Sequence, residues 1–528
     1  MRSFLAFKPG HDGAVAHVLD GRLDFAIEAE KDSFLRHDWL GPAHFADTLA
    51  RLEAPPDAIC VSGWSKGFNE FRWRLGAGYF GADETGIVTR PTTVFGRPAR
   101  YFSSSHERSH IWSAYALSPF AQGEPVYCLV WEGVIGRFYE VDADLRVTAF
   151  PTVLDSPGYR YAFVYALADP EFPADARYPR LNDAGKLMAL AAFDDGAPLA
   201  AEDQELIEEI LTAPDVGESL RKARFRGRRH YDVGVRDPAF TRFAHAFQRA
   251  LFARFHDFAR ALLIPGRPLL IAGGCGLNCD WNAAWRDCGL FRDVFVPPCA
   301  NDTGSALGTA VDAMRHFTGQ AKLQWDVYAG QDFEDDLPRA GDAGDVEIAP
   351  FDPARVARLL AEGRIIAHAA GRAEMGPRAL GNRSILASPL RPESLDRLNT
   401  IKRRESYRPI APIVAEDYAP RVFSPGRPSP FMLYFDRVTS DALPAVTHVD
   451  GSARIQTVSA AQNPRMHALL RAFQAETGHA VLCNTSLNFP GRGFINRTSD
   501  LMDYARTSGL DGFVAADRLW LLGRAPGG

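Results

Sequence analysis

The chain has 528 residues, well beyond the roughly 250–300 at which a single hydrophobic core stops growing, so at least two domains are expected. Apolar residues make up 46% and charged residues 23%, the balance of a packed globular protein. The net charge of -6, with acids and bases interspersed, speaks against a nucleic-acid or anionic-membrane partner, because both need a positive field.

No apolar stretch approaches the ~18 residues of a membrane-spanning helix. The start, MRSFLAFKPGHDGAV, has too short an apolar core for a signal peptide and no small-residue cleavage site. A cytoplasmic location is expected. Seven cysteines are spread thinly, and the close pair Cys275 and Cys279 has no second pair to complete zinc spacing. Reduced structural thiols are the expectation.

Short apolar runs alternate with helical patterns along the chain, the rhythm of an α/β protein. The first predicted strand runs into the loop Gly10-His11-Asp12-Gly13, whose small residues admit a ligand while His11 and Asp12 offer acid/base groups. Taken alone, such a loop is equally a structural turn.

Next comes His106-Glu107-Arg108-Ser109-His110. Two histidines four apart share one face of a helix and can share a metal; the bland alternative is a pair of solvated side chains. The spacing fits His-Glu-x-x-His, so a metalloprotease must be weighed. Against it, no third ligand follows at helical spacing.

Asn182-Asp183-Ala184-Gly185-Lys186 precedes a helical LMALAAF and offers an anion cradle without being a Walker motif. A strand over Pro268–Ala272 leads into Gly273-Gly274-Cys275-Gly276-Leu277-Asn278. A similar turn, Asn301-Asp302-Thr303-Gly304, opens another helix. Backbone N–H groups in such turns face phosphate or ribose oxygens, and Asp302 adds a carboxylate suited to a metal.

Residues 331–349, acidic and poor in large apolar side chains, read as an interdomain linker. Helical periodicity resumes at Val356, Leu359 and Leu360, followed by a strand at Ile365-Ile366-Ala367. The segment from Gly371 to Ser384 packs three arginines among Gly, Pro and Asn, and Lys402-Arg403-Arg404-Glu405-Ser406-Tyr407-Arg408-Pro409 follows at a helix end. For Arg378, Arg383, Lys402 and Arg408 phosphate binding is favoured over a solvated face, because glycine and proline neighbours fix a backbone geometry that such a face does not need. The polar clusters His448–Gln456 and Asn484–Asn488 follow apolar strands and read as pocket walls.

The order Gly-His-Asp-Gly, His-x-x-x-His, Gly-Lys-x-Met-x-Leu-Ala, Gly-Gly-x-x-x-Asn and Asn-Asp-x-Gly resembles the N-terminal domain of the NodU/CmcH carbamoyltransferases, itself similar to the Kae1/TsaD proteins of the actin-like ATPase fold. Gly-Pro-Arg-Ala-Leu-Gly-Asn-Arg-Ser, His-Val-Asp-Gly-Ser-x-Arg-x-Gln and Cys-Asn-Thr-Ser-Leu-Asn resemble the YrdC-like C-terminal domain of that family. The expected architecture is therefore a Kae1-like domain over 1–330, the linker 331–349 and a YrdC-like α/β domain over 350–528. FKPGHDGAVA, SSSHERSH, GGCGLNCDWN and THVDGSARIQT look most like the branch acting on hydroxymethyl groups of cephems.

The resemblance implies an ATP-dependent O-carbamoyltransferase. In the C-terminal domain ATP, with Mg²⁺, and carbamoyl phosphate would give carbamoyl-adenylate; in the N-terminal domain the carbamoyl group would pass to a hydroxyl of a small natural product. It implies that His106, His110 and Asp302 hold iron(II) or another divalent metal. Glu132, in Trp131-Glu132-Gly133-Val134-Ile135-Gly136, stands where an Asp-Gly-x-Gly-like motif is expected and would be a further ligand on a longer arm. Gly185, Lys186, Gly273, Gly274 and Asn278 would hold the adenylate, with His11 and Asp12 near the transfer centre and His11 accepting the alcohol proton. Arg378, Lys402, Arg408, Asn484 and Ser486 would contact carbamoyl phosphate or carbamate, and His448, Ser452 and Arg454 the nucleotide. Rival readings are a threonylcarbamoyl-adenylate tRNA-modifying enzyme, a non-catalytic nucleotide or metal sensor, and the metalloprotease. Oligomeric state is not readable, a homodimer staying open.

Overall fold

The structure, a computed structural model, describes residues 1–33, 35–64, 76–337, 346–489 and 493–523. It is a mixed α/β protein with two compact units, one comprising 1–117, 297–447 and 451–528, the other 118–296 and 448–450. These units follow other lines than the two domains expected from sequence, since 297–330 and 350–447 fall in the same one. The expected linker is ordered at both of its ends: Glu334 N–H donates to the Asn496 carbonyl (2.8 Å) and Thr498 N–H to the Glu334 carbonyl (3.1 Å), while 346–350 is a strand. Its middle, 338–345, lies outside the described residues.

In the first unit, β1 (Ser3–Lys8), β2 (Ala14–Leu19), β3 (Arg22–Glu28), β4 (Ala58–Val61), β5 (Val88–Val94) and β6 (Arg97–Ser103) form one sheet in the order β3-β2-β1-β4-β6-β5. Phe4, Leu5, Ala6 and Phe7 of β1 are all buried, so this central strand reads as a continuous apolar run rather than an alternating one. The helices His106–Leu117 and Ser305–Thr318 pack on each other, and the second lies along β1 and β2.

Two small residues make that helix pair close. A Cβ on Gly308 would stand 1.8 Å from the Ser109 carbonyl oxygen, and one on Gly304, just before the second helix, would stand 2.9 Å from the Ser113 Oγ. A buried ion pair then fixes the pair's register: Arg108 reaches Asp312 through two N–H donors, at 2.7 and 2.8 Å.

The second unit has a five-stranded sheet of β7 (Val126–Trp131), β8 (Gly136–Val141), β9 (Val147–Thr152), β10 (Leu269–Ala272) and β11 (Val294–Phe295), ordered β11-β10-β7-β8-β9. All six residues of β7 are buried.

The remaining strands return to the first unit: β12 (Val346–Pro350), β13 (Ile366–Ala369), β14 (Arg383–Ala387), β15 (Ala411–Ala415), β16 (Phe423–Ser424), β17 (Phe435–Val438), β18 (Ser452–Arg454), β19 (Gln456–Val458), β20 (Val481–Ser486), β21 (Gly512–Ala515) and β22 (Arg518–Leu522). Eight of them form one sheet, β12-β22-β21-β13-β14-β20-β15-β19, and β16, β17 and β18 a small one beside it. The helices Pro353–Ala361 and Pro464–Thr477 pack together over a core that includes Val356, Leu360, Leu469 and Phe473.

Candidate functional site

The helix His106–Leu117 is buried along its whole length, which removes the reading of its two histidines as solvated side chains. His106 and His110 turn their Nε2 atoms toward each other, 3.1 Å apart. Asp302, in the short turn before the helix Ser305–Thr318, places Oδ1 3.5 Å from the His106 Nε2 and 3.4 Å from the His110 Nε2. Donor atoms bound at about 2.1 Å around one tetrahedral or octahedral ion lie roughly 3.0–3.4 Å from each other, so these three fit a divalent metal.

The loop after β1 completes the cluster. Asp12, at φ 54, is bracketed by His11 Nδ1 at 2.7 Å and His37 Nδ1 at 2.8 Å. His11, Asp12 and Asp302 offer ligand atoms within 4.8 Å of one another, as do Asp12, Glu30 and His37. His106 stacks on Tyr79 with ring centroids 4.3 Å apart and meets Trp64 edge-on.

Burial alone would raise the Asp302 carboxyl, but His106, Lys8 and His110 outweigh it and hold the group well below the usual carboxylate range. Asp12 is likewise held low, its two imidazole partners overcoming burial. Sequence reasoning missed Lys8, whose ammonium lies 3.2 Å from Asp302, and His37. Lys8 had a signal: it is a lone cation ending an apolar strand, wholly buried.

The same unit carries the basic cluster. Lys402, directly after the helix Glu393–Ile401, donates to the Ser486 carbonyl and to Asn488 Oδ1, each at 2.5 Å. Burial, then the charges of Arg404, Arg408 and Arg36, push its pKa well below the ordinary lysine value. Arg36 went unnoticed in the sequence, and Arg404 stood there as one of the middle arginines of the basic run, read as a charged face. Arg378 is half-buried on the segment that Glu28 fastens, through a 2.6 Å hydrogen bond from the Gly376 N–H. Arg408 is half-buried and 3.6 Å from Glu405. Asn484 and Ser486 share a face of β20, and Ser452 and Arg454 bound the short β18.

Arg383 is a correction. All five of its N–H donors are spent within the protein, on Asn496 Oδ1 and the carbonyls of Ala370, Asn382, Gln331 and Gly371. Wholly buried, it braces the arginine-bearing segment and has no donor left for phosphate.

In the second unit, Gly185 and Lys186 lie in the first turn of the helix Ala184–Ala191, with Lys186 3.0 Å from Asp183. Gly273, at φ +94, meets β7 so closely that a Cβ would stand 2.4 Å from the Trp131 carbonyl oxygen, while a Cβ on Gly274 would meet nothing. Asn278 is a second correction: its side chain accepts from the N–H groups of Asp280 and Trp281 and caps the helix Cys279–Asp287, and its amide donates to Gln248. Glu132 is buried in the turn between β7 and β8, where Ile135 N–H donates to its carboxylate at 3.3 Å. His448 also belongs to this unit, in the loop before β18, and meets Phe193 edge-on. Beside it, burial and the Asp450 charge push the Asp280 carboxyl up to about 6, despite the hydrogen bond from Gln248 and the nearness of His448.

All seven cysteines are free thiols, and among the described residues no helix is long and apolar enough to cross a membrane.

Two family models match, the carbamoyltransferase N-terminus over 92–311 and the carbamoyltransferase C-terminus over 357–521. A 3'-hydroxymethylcephem-O-carbamoyltransferase of Amycolatopsis lactamdurans is 46% identical over 97% of this chain and 98% of its own. One of Streptomyces clavuligerus is likewise 46% identical over 97% and 98%. Nodulation protein U of Rhizobium tropici is 38% identical over 94% of this chain and 92% of its own. Solved structures are more remote. Full-length HypF in its phosphate- and nucleotide-bound form has a TM-score of 0.29, 10% identity, and covers 61% of this chain and 56% of its own. The archaeal actin homolog Ta0583 has a TM-score of 0.30, 10% identity, and covers 59% and 99%. Likenesses at that level carry no functional weight. With both halves matched and relatives this similar from end to end, the chain belongs to the NodU/CmcH family of O-carbamoyltransferases and is a carbamoyltransferase.

Proposed function

We propose that this enzyme carbamoylates a hydroxymethyl group on a cephem antibiotic scaffold, using carbamoyl phosphate and ATP. The 46% identity to two enzymes named for that acceptor supports the substrate class. The observation that carries the activation chemistry is Lys402, buried and crowded by Arg404, Arg408 and Arg36. A phosphate or carboxylate anion bound there offsets the cost of burying so much like charge.

In this reading carbamoyl phosphate is hydrolysed to carbamate and phosphate beside Arg378, Lys402 and Arg408. The carbamate oxygen then attacks the α-phosphorus of ATP, giving carbamoyl-adenylate and releasing pyrophosphate. The guanidinium and ammonium groups stabilise charge on the phosphoryl oxygens, with Mg²⁺ on the ATP. Adenylation turns a poor leaving group into a good one. Enclosed passage of the adenylate protects it from water.

In the same reading His11 accepts the alcohol proton as the hydroxyl oxygen attacks the carbamoyl carbon and AMP leaves. Its Nδ1 is engaged by Asp12, which orients the ring. Lys8 and Asp302 form a buried pair beside it. His106, His110 and Asp302 would hold a divalent metal, iron(II) in the family resemblance, with Glu132 retained from the sequence as a further ligand. When bound, that ion supplies Lewis-acid polarisation of an oxygen on the adenylate. A Kae1-like fold for the N-terminal half, a YrdC-like fold for the C-terminal half and a cytoplasmic location complete the proposal, with ATP, carbamoyl phosphate and the alcohol as small-molecule partners and no nucleic acid.

The test is mass spectrometry of a 3-hydroxymethyl cephem incubated with enzyme, ATP, Mg²⁺ and carbamoyl phosphate. The product gains one carbamoyl group only when all three small molecules are present. Carbamoylation without ATP would remove the activation step from the proposal, and an unchanged cephem would remove the acceptor.

A further inference from the structure

We propose that the side-chain oxygen of Asn484 reads the amino group of the carbamoyl donor, and that Gln456 is the positioning residue that holds it ready. The inference rests on the reading of the Lys402 cluster as the carbamoyl phosphate site, and deepens it by assigning the atom that tells a carbamoyl group from other acyl groups.

The amide of Asn484 cannot turn. Its Nδ2 donates to the Ala379 carbonyl at 3.0 Å and to Gln456 Oε1 at 2.8 Å. A carbonyl can only accept, so the nitrogen must face Ala379 and the oxygen must point elsewhere. Gln456 is locked in the same way, since its own Nε2 donates to the Leu380 carbonyl at 2.8 Å. The backbone of Asn484 is held on both sides, paired with Leu386 of β14 and Ala411 of β15.

This leaves Asn484 Oδ1 buried, on a residue 1% exposed, with no hydrogen-bond donor in reach among the described residues. Such an acceptor is costly to keep, and its surroundings point to a ligand that supplies the donor. Ala379 adjoins Arg378. Gln456 lies two residues from Arg454. Ser486, two residues along β20 and on the same face, takes the Lys402 ammonium on its carbonyl oxygen. Three of the residues expected to bind carbamoyl phosphate or nucleotide, Arg378, Arg454 and Ser486, thus lie within two residues of the groups that meet at this one amide. The ligand group that fits must be small, enclosed and an N–H donor, and the carbamoyl amino group is all three.

Acetyl phosphate is the discriminating probe, because it replaces that amino group with a methyl group of similar size. A site built to hydrogen-bond a substrate N–H strongly rejects an analogue that lacks it. Pyrophosphate release from ATP, followed with each acyl phosphate in turn, should favour carbamoyl phosphate by at least ~100-fold in kcat/KM in the wild type. In Asn484→Leu the ratio should fall to within about 3-fold of unity, and in Gln456→Leu it should fall by about 10-fold as the amide loses one of its two anchors. A purely structural role for either residue would lower both activities together and leave the ratio unmoved, which overturns the proposal. Equal use of the two donors by the wild type also overturns it, without any variant. Should Asn484→Leu fail to fold, the wild-type ratio and Gln456→Leu decide. If carbamoyl phosphate elicits no pyrophosphate from the wild type, the reading of the Lys402 cluster fails and this inference with it.

Discussion

The two clusters of the first unit solve opposite electrostatic problems. Around His106, His110 and Asp302, carboxylates are held below their usual range because imidazoles and Lys8 surround them. Around Lys402, an ammonium is pushed down because burial and three guanidinium groups oppose its charge. The first arrangement gathers donor atoms at the mutual distances of a metal's ligands, whereas the second gathers cations whose mutual repulsion a bound anion would offset. The scaffolds differ to match: two helices in close contact position the first, and strand ends with their connecting loops position the second.

The contrast breaks most sharply at the helix pair. Arg108→Ala or Asp312→Ala leaves an uncompensated buried charge and should cost about 3–5 kcal/mol, read as a lowered urea midpoint, with loss of bound metal by elemental analysis. Lys402→Ala should lower kcat/KM for carbamoyl phosphate by roughly 10²–10³ while metal content stays as in the wild type. Gly308→Ala drives a methyl into the Ser109 carbonyl and should cost about 1–3 kcal/mol, again with reduced metal content and with pyrophosphate formation retained. Asn278→Ala should cost about 1 kcal/mol as a lost helix cap and leave the KM for ATP unchanged. A rise in that KM would return Asn278 to the nucleotide site.

A pH experiment sharpens the second cluster. Because the folded-state pKa of Lys402 lies below its ordinary value of 10.5, the unfolded chain binds more protons, and this group's contribution to stability improves as pH rises toward 10.5. Binding an anion beside it favours the ammonium form and takes up a proton. Inorganic phosphate should therefore raise the melting temperature more at pH 8 than at pH 10. The same increment at both pH values would mean that Lys402 does not feel the anion.

Much of this was legible in the residues. The strand-and-turn rhythm gave the α/β class, and His106 with His110 announced a shared helical face. The basic segments around Arg378 and Lys402 stood out because glycine and proline fix their backbones. What stayed hidden depends on where side chains spend their donors. Arg383 lies in the same run as Arg378, yet all five of its donors are consumed internally; Asn278 follows a glycine-rich turn, yet it caps the next helix. Nothing in the spacing distinguishes these fates. Lys8 showed only as a lone cation at the end of an apolar strand, and His37 not at all, because they reach Asp302 and Asp12 only once the sheet has formed. The acidic stretch before 346 looked like a linker because its composition is polar, although Glu334 pairs its backbone with Asn496 and Thr498.

The central claim is that one cluster makes the activated carbamoyl group and the other delivers it. Pyrophosphate and carbamoylated cephem measured side by side in Arg378→Ala and in His106→Ala test it directly. The account predicts that Arg378→Ala loses both products, and that His106→Ala still releases pyrophosphate on addition of carbamoyl phosphate while the carbamoylated cephem disappears. Pyrophosphate release lost in His106→Ala and kept in Arg378→Ala would contradict it.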